Sequence, residues 1–136
     1  MNAVQQALLL SMGAHLGFQA VVTVVVYPTL LEVSPADWQR RHTAHSKRIA
    51  FLVVPMYVAV ISALTWSLSS MGWSPALVVA ICATLLVLLT TGLVAAPLHK
   101  TLARDGPTAQ LKRRLRRADA IRFSGAALAC VAATFV

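Results

Sequence analysis

His42 and His45 stand three residues apart in RRHTAHSKRIAF, residues 40–51, among Arg40, Arg41, Lys47 and Arg48, and an unbroken apolar run follows. On a helix such an i, i+3 pair shares one face, so two imidazoles can converge on one ion. His99, in APLHK, lies at the polar end of the third apolar segment, at a depth similar to His45. His42, His45 and His99, with Asp119 or Asp37 nearby, would make a nitrogen and oxygen donor set for zinc, iron or copper, all of which accept imidazole. The stripe of Trp38, His42, His45, Ile49, Leu52 and Met56 predicts that His45 faces inward and that His42 lies nearer the surface. The competing reading is a basic collar at a membrane surface, in which the histidines only accompany the cations.

Two further groups are costly in hydrocarbon and so need a partner or a task. Ser11, His15 and Gln19 recur at i, i+4 and i+8 along one ridge of the first segment. His15 is 12 residues from Tyr27, about 18 Å at the helical rise and near the middle of a membrane. The spacing predicts that this ridge faces the protein interior, with His15 and Gln19 either hydrogen-bonded to a neighbouring helix or lining a cofactor cavity. Gly13 and Gly17 beside it form a small-xxx-small pair suited to close helix packing. Asp119 and Arg122 are also i, i+3, and pair either as a structural lock or as a carboxylate and cation lining a site.

The elements that must position these residues follow from composition. The chain has 136 residues, 58% hydrophobic and 12% charged, against a usual charged share of about 25%. Apolar stretches of membrane-spanning length recur, more than a small soluble core can cover. The charge of +8 is then topogenic and does not indicate nucleic acid. The apolar and capping signals predict an all-α, integral membrane four-helix bundle with an up-down-up-down path, a single domain with helices at about 3–27, 35–69, 75–104 and 107–136. Pro28 is expected to end the first helix. Ser34-Pro35 and Ser74-Pro75 read as helix starts, and Asp105-Gly106-Pro107 as the break before the last helix. Pro55 and Pro97 fall inside helices. From Phe123 the last helix has an apolar stretch 14 residues long, about 21 Å against a core of about 30 Å, which draws Asp119 and Arg122 below the surface. Cys82 and Cys130 read as small buried hydrophobes. All twelve Lys and Arg lie on the side of the first and third loops, so both termini face outward and the basic loops face the cytoplasm, as in a bacterial inner (plasma) membrane protein.

The stretches GFQAVVTVVVYPTL, RRHTAHSKRIAFLVVPMY, APLHKTL and ADAIRF resemble the small four-helix membrane proteins of the anthrone-oxygenase-like superfamily. Most members have no known function; some are linked to oxygenation of anthrones to anthraquinones. The resemblance spans nearly the whole chain on short motifs. Its Gln-Tyr-Pro pattern falls on Gln19, Tyr27 and Pro28, its Pro-x-His pattern on Pro97 and His99, and its Asn-x-x-Arg pattern on Asp119 and Arg122. Lys100 and Asp119 replace residues usual in the family. The resemblance implies a membrane-embedded oxidoreductase, an oxygenase of a lipophilic aromatic or quinone-like substrate. His99, Arg122 and Asp119 would be catalytic, His15 and Gln19 would line the cofactor side, and His42, His45 and His99 would hold any metal. Cofactor-independent oxygenation is the alternative to iron, copper or zinc. Haem is disfavoured because His15 lies at a different depth from the other histidines. The expected partners are membrane lipids, a lipophilic small molecule and, in some arrangements, a second copy of the chain, but no nucleic acid. The rival reading is a non-catalytic scaffold, lipid-binding protein or complex subunit.

Overall fold

The computed structural model of the chain describes residues 1–136 and is helical throughout apart from its connections. Helix α1 runs Ala3–Leu31, α2 Pro35–Met71 and α3 Pro75–Asp105, and α4 runs Ala109–Ala133. The first three are long and apolar enough to cross a membrane. The fourth, with its basic first half, is not among these spans.

Side-chain caps explain where the helices begin. Ser34 Oγ accepts from the Asp37 amide and Ser74 Oγ from that of Leu77, each satisfying a donor that has no partner within its helix. Asn2 and Gln5 cap α1 reciprocally. Thr108 caps α4, accepting from the Leu111 amide, so the helix starts at Ala109 and not at the expected 107, and Gly106 turns the chain at φ 78°.

Pro28 does not end α1. The helix widens to π pitch over Val22–Val26 and resumes as α-helix over Tyr27–Leu31. The same device, Thr91–Ala95, precedes Pro97 in α3. In each case the wider turn accommodates a ring that cannot donate to the preceding turn. Thr23 and Thr29 hydroxyls return to the carbonyls of Gln19 and Val25, and Thr91 and Thr101 hydroxyls to those of Val87 and Pro97. Each hydroxyl hydrogen thereby gains an acceptor that lipid would not supply. Pro55 sits in uninterrupted α-helix.

Helix α1 packs against α2 and α4, and α4 packs most extensively against α3, while α2 and α3 meet only sparsely. One apolar core holds Leu8, Met12, Val60, Leu64, Leu77 and Ala129. A second holds Tyr27, Leu31, Trp38, Leu102, Leu111 and Leu115 at the basic end. Along α1 the first core ends at Met12 and the second begins at Val22; His15 and Gln19 lie between them. Along α4 the order reverses, with Asp119 and Arg122 between Leu115 and Ala129. A buried polar layer therefore separates two apolar cores.

The close glycine contact is not the expected one. Gly13 and Gly17 are exposed, and a Cβ on either would meet nothing within 4 Å. A Cβ on Gly125 would lie 2.7 Å from Val87 Cγ2 and 3.2 Å from the Ala83 carbonyl. Here α4 approaches α3 through a residue with no side chain, and the buried face of α4 around it is rich in alanine. Cys82 is exposed and Cys130 half-buried, and both are free thiols.

Candidate functional site

The polar layer is a connected chain of side chains drawn from all four helices. Gln19 Nε2 donates to Asp119 Oδ1 at 2.7 Å, and Arg122 Nη2 donates to the same oxygen at 3.0 Å. Arg122 Nη2 also donates to Tyr27 Oη at 2.8 Å. Tyr27 Oη lies 3.2 Å from His99 Nε2, and His99 Nδ1 lies 3.1 Å from His42 Nε2. Trp38 stacks on His42 at 5.0 Å and anchors itself by donating from Nε1 to the Leu102 carbonyl at 2.9 Å.

Local folding explains this convergence. The π turn before Pro28 shifts the angular register of the last turns of α1, where Tyr27 is carried, and the π turn before Pro97 does the same for His99. Asp119 and Arg122 meet because i, i+3 residues are neighbours on a helix. Their side chains are 5% and 9% exposed, so this is a buried ion pair with little solvent screening. Its carboxylate gains a second donor from Gln19, the kind of additional bond that offsets desolvation of the ions.

The expected site residues fall into place unevenly. His99, Arg122, Asp119 and Gln19 share the network. His15 is buried as expected, but neither ring nitrogen has a partner; its ring meets Tyr57 edge-on at 5.5 Å. Tyr57 Oη pairs with Thr91 Oγ1 at 2.8 Å across the sparse α2–α3 contact. Ser11 is half-buried and bonds its own helix, at the Leu8 carbonyl.

His45 looks into the bundle as expected, lining a cavity there, but His42, expected nearer the surface, is the more deeply buried of the two. His42 is 2% exposed and bonded to His99, whereas His45 is half-buried, its ring centroid 6.2 Å from that of His99. No three His, Cys, Asp or Glu side chains converge on a common point. Asp37 is occupied by Arg40 at 2.7 Å on the surface. The donor set is thus a poor fit to a metal, since the facing nitrogens of His42 and His99 bond each other.

Two cavities meet at His45. An inner cavity of about 210 Å³ lies between α1, α2 and α3 and is closed by Arg122 of α4, with apolar walls including Phe18, Val22 and Val53 and with Tyr27 and His45 also in its lining. An outer groove of about 510 Å³ lies between the end of α1 and the start of α2, where Arg40, Arg41 and Arg48 flank Val25, Leu30 and Leu52. His45 and Ile49 line both. Arg122 Nε is buried without a partner, leaving a donor in a residue that lines the inner cavity.

Tyr57 and Thr91, which meet each other beside His15, were not singled out by the sequence pattern; their signal there is a hydroxyl inside segments otherwise apolar. Comparison with known protein families, curated proteins and solved structures finds no match to this chain.

Proposed function

We propose that this chain is a membrane-embedded oxidoreductase, an oxygenase of a lipophilic aromatic or quinone-like substrate bearing an acidic C–H. The observation that carries the reading is the inner cavity, whose apolar walls meet Tyr27, His45 and Arg122 at one place. Aromatic and aliphatic walls with a few convergent polar groups are the general form of a small-molecule site. In the reaction a cavity base, His45, takes a proton from a methylene flanked by aromatic rings or a carbonyl. The unpartnered Nε–H of Arg122 stabilises the charge that moves onto a conjugated oxygen, as preorganised cations do. The carbanion reduces dioxygen, a carbon–oxygen bond forms, and the resulting peroxide loses water. One methylene and one dioxygen thus become one carbonyl and one water. Both methylene hydrogens leave with the second oxygen atom, and no step passes through a metal.

A lipophilic anthrone offered to the protein in lipid nanodiscs tests this by oxygen uptake and by incorporation of labelled dioxygen into the product carbonyl. Uptake that depends on His45 and Arg122 is expected. Uptake equal to that of empty nanodiscs overturns the reading. Non-catalytic lipid binding is the second reading, favoured by Arg40, Arg41 and Arg48 around the outer groove.

The connections between helices are short and the cations are one-sided, which supports an up-down-up-down path with both termini outside a bacterial plasma membrane and the basic loops in the cytoplasm. Cysteines introduced singly at the exposed Glu32, Trp73 and Gln110, after replacement of Cys82 and Cys130, test it. Labels at 32 and 110 should react only from the cytoplasmic side, and the label at 73 only from the other.

A further inference from the structure

We infer that Tyr27, His99 and His42 form a proton relay joining the inner cavity to water at the basic end of the bundle. The inference deepens the proposed function, since the relay begins in the same cavity, but its geometry stands without any assumption about oxygen chemistry.

The direction of the hydrogen bonds follows from counting donors and acceptors. Arg122 has only donors, so Tyr27 Oη must accept from it. Tyr27 is 5% exposed, and its hydroxyl has two polar contacts, Arg122 and His99. The phenol hydrogen therefore points at His99 Nε2. The reverse assignment would leave a buried O–H without an acceptor, a costly arrangement. With Nε2 accepting, neutral His99 carries its hydrogen on Nδ1 and donates it to His42 Nε2. Neutral His42 then carries its hydrogen on Nδ1. That atom has no protein partner and is not among the fully buried unpaired atoms, so it remains open to water. One residue at the fixed end of the chain, Arg122, thus orients three titratable groups in a single sense.

Such a chain moves a proton without moving a heavy atom. Tyr27 Oη takes a proton from a cavity ligand as its own passes to His99 Nε2. The proton on His99 Nδ1 passes to His42 Nε2, and that on His42 Nδ1 leaves to water. Four bonds to hydrogen break, four form, and one proton crosses. Each imidazole ends neutral with its hydrogen on the other nitrogen. The reverse passage resets the chain and returns a proton to the cavity. Trp38 holds the terminal ring: its indole is pinned by the Leu102 carbonyl and stacks on His42, restraining the imidazole in the plane that keeps Nε2 aimed at His99.

The experiment uses full-length, histidine-labelled protein in nanodiscs and nitrogen NMR of the ring tautomers. The expected result is a hydrogen on Nδ1 in both His99 and His42, with His99 losing that preference in Tyr27→Phe. A hydrogen on Nε2 in either ring of the wild type overturns the relay, and this measurement needs no variant to fold. A second measurement follows exchange of the Tyr27 hydroxyl hydrogen with bulk water. In His42→Ala it should slow by about 10²-fold, the lower range of what a positioned proton-transfer group contributes, and added imidazole should restore it. Unslowed exchange, or slowing that imidazole does not relieve, also overturns it. Oxygen uptake is scored separately. Correct tautomers without uptake retain the relay and remove the oxygenase reading, and uptake with wrong tautomers does the opposite.

Discussion

Asp119→Asn isolates the charge at the centre of the polar layer. The substitution keeps the side-chain volume and leaves one carbonyl oxygen to accept from Gln19 Nε2, now 2.7 Å from Oδ1. What it removes is the negative charge 3.0 Å from Arg122 Nη2. Since the partners are 5% and 9% exposed, water cannot replace the lost counter-ion. Breaking a buried pair by neutralising one member costs about 3–5 kcal/mol. Tyr27 Oη still accepts from Arg122, which sets the expectation near about 3 kcal/mol, on the order of 10²-fold in the folding constant. Replacing both members, Asp119→Leu with Arg122→Leu, should cost less than either single change, because no uncompensated charge remains. The assay is reversible unfolding in mixed detergent micelles, analysed as a double-mutant cycle. Additive losses, or an Asp119→Asn loss below about 0.5 kcal/mol, a value typical of inconsequential substitutions, would refute the claim that this pair is sealed from solvent.

Gly125→Ala should destabilise by about 1–3 kcal/mol in the same assay, the usual cost of overpacking, because its Cβ would stand 2.7 Å from Val87 Cγ2. Gly13→Ala and Gly17→Ala should be neutral or stabilising by about 0.5–1 kcal/mol, since nothing lies within 4 Å of either. His15→Leu should leave the melting temperature unchanged or raise it, because both ring nitrogens are buried without partners, a condition that costs about 1–3 kcal/mol; a clear drop would mean that the imidazole is bonded. Trp38→Phe should lose about 1 kcal/mol with its bond to the Leu102 carbonyl, and it should broaden the His42 ring resonances, whereas unchanged spectra would remove the stacking restraint.

Helix number and starts were legible because caps are local. Ser34 and Ser74 announce their helices through one oxygen and a following proline, and no distant residue can alter that requirement. The i, i+3 pairing of Asp119 with Arg122 was legible for the same reason. The end of α1 was not, since Pro28 breaks a helix only if the preceding turn cannot widen, and Val22–Val26 does widen. Nor could the glycines be sorted. Where lipid is as apolar as a neighbouring helix, small residues mark a close contact without saying which face carries it. Gly13 and Gly17 lie on the exposed side, and Gly125 makes the contact.

The unexpected burial of His42 has two physical causes. Expecting the residue nearer the helix start to be more exposed assumes that the bundle ends at the membrane surface. Instead, Leu102 of α3 and Leu111 and Leu115 of α4 build a second core with Trp38 beyond the polar layer. Those two α4 leucines stand among the cations of LKRRLRR, where composition suggests a solvated face and only the i, i+4 spacing betrays a buried one. The other cause is angular. A stripe drawn through Trp38, His42, His45, Ile49, Leu52 and Met56 leaves the interface at Leu52, which is 58% exposed. The buried and half-buried positions follow an 11-residue repeat instead: Trp38 and His42, then Ile49 and Val53, then Val60 and Leu64. At 3.67 residues per turn this face drifts little along an α-helix. In that repeat His42 occupies the same place as Val53 and Leu64 and must point inward, where His99 meets it. His45 shares its place with Met56 and with the buried Ser67, so it too faces inward, beside that stripe, and looks into the cavity between α1 and α2. The position that cannot carry a charge freely is therefore the one bonded within the network, and the position at the margin is the one free to meet a ligand.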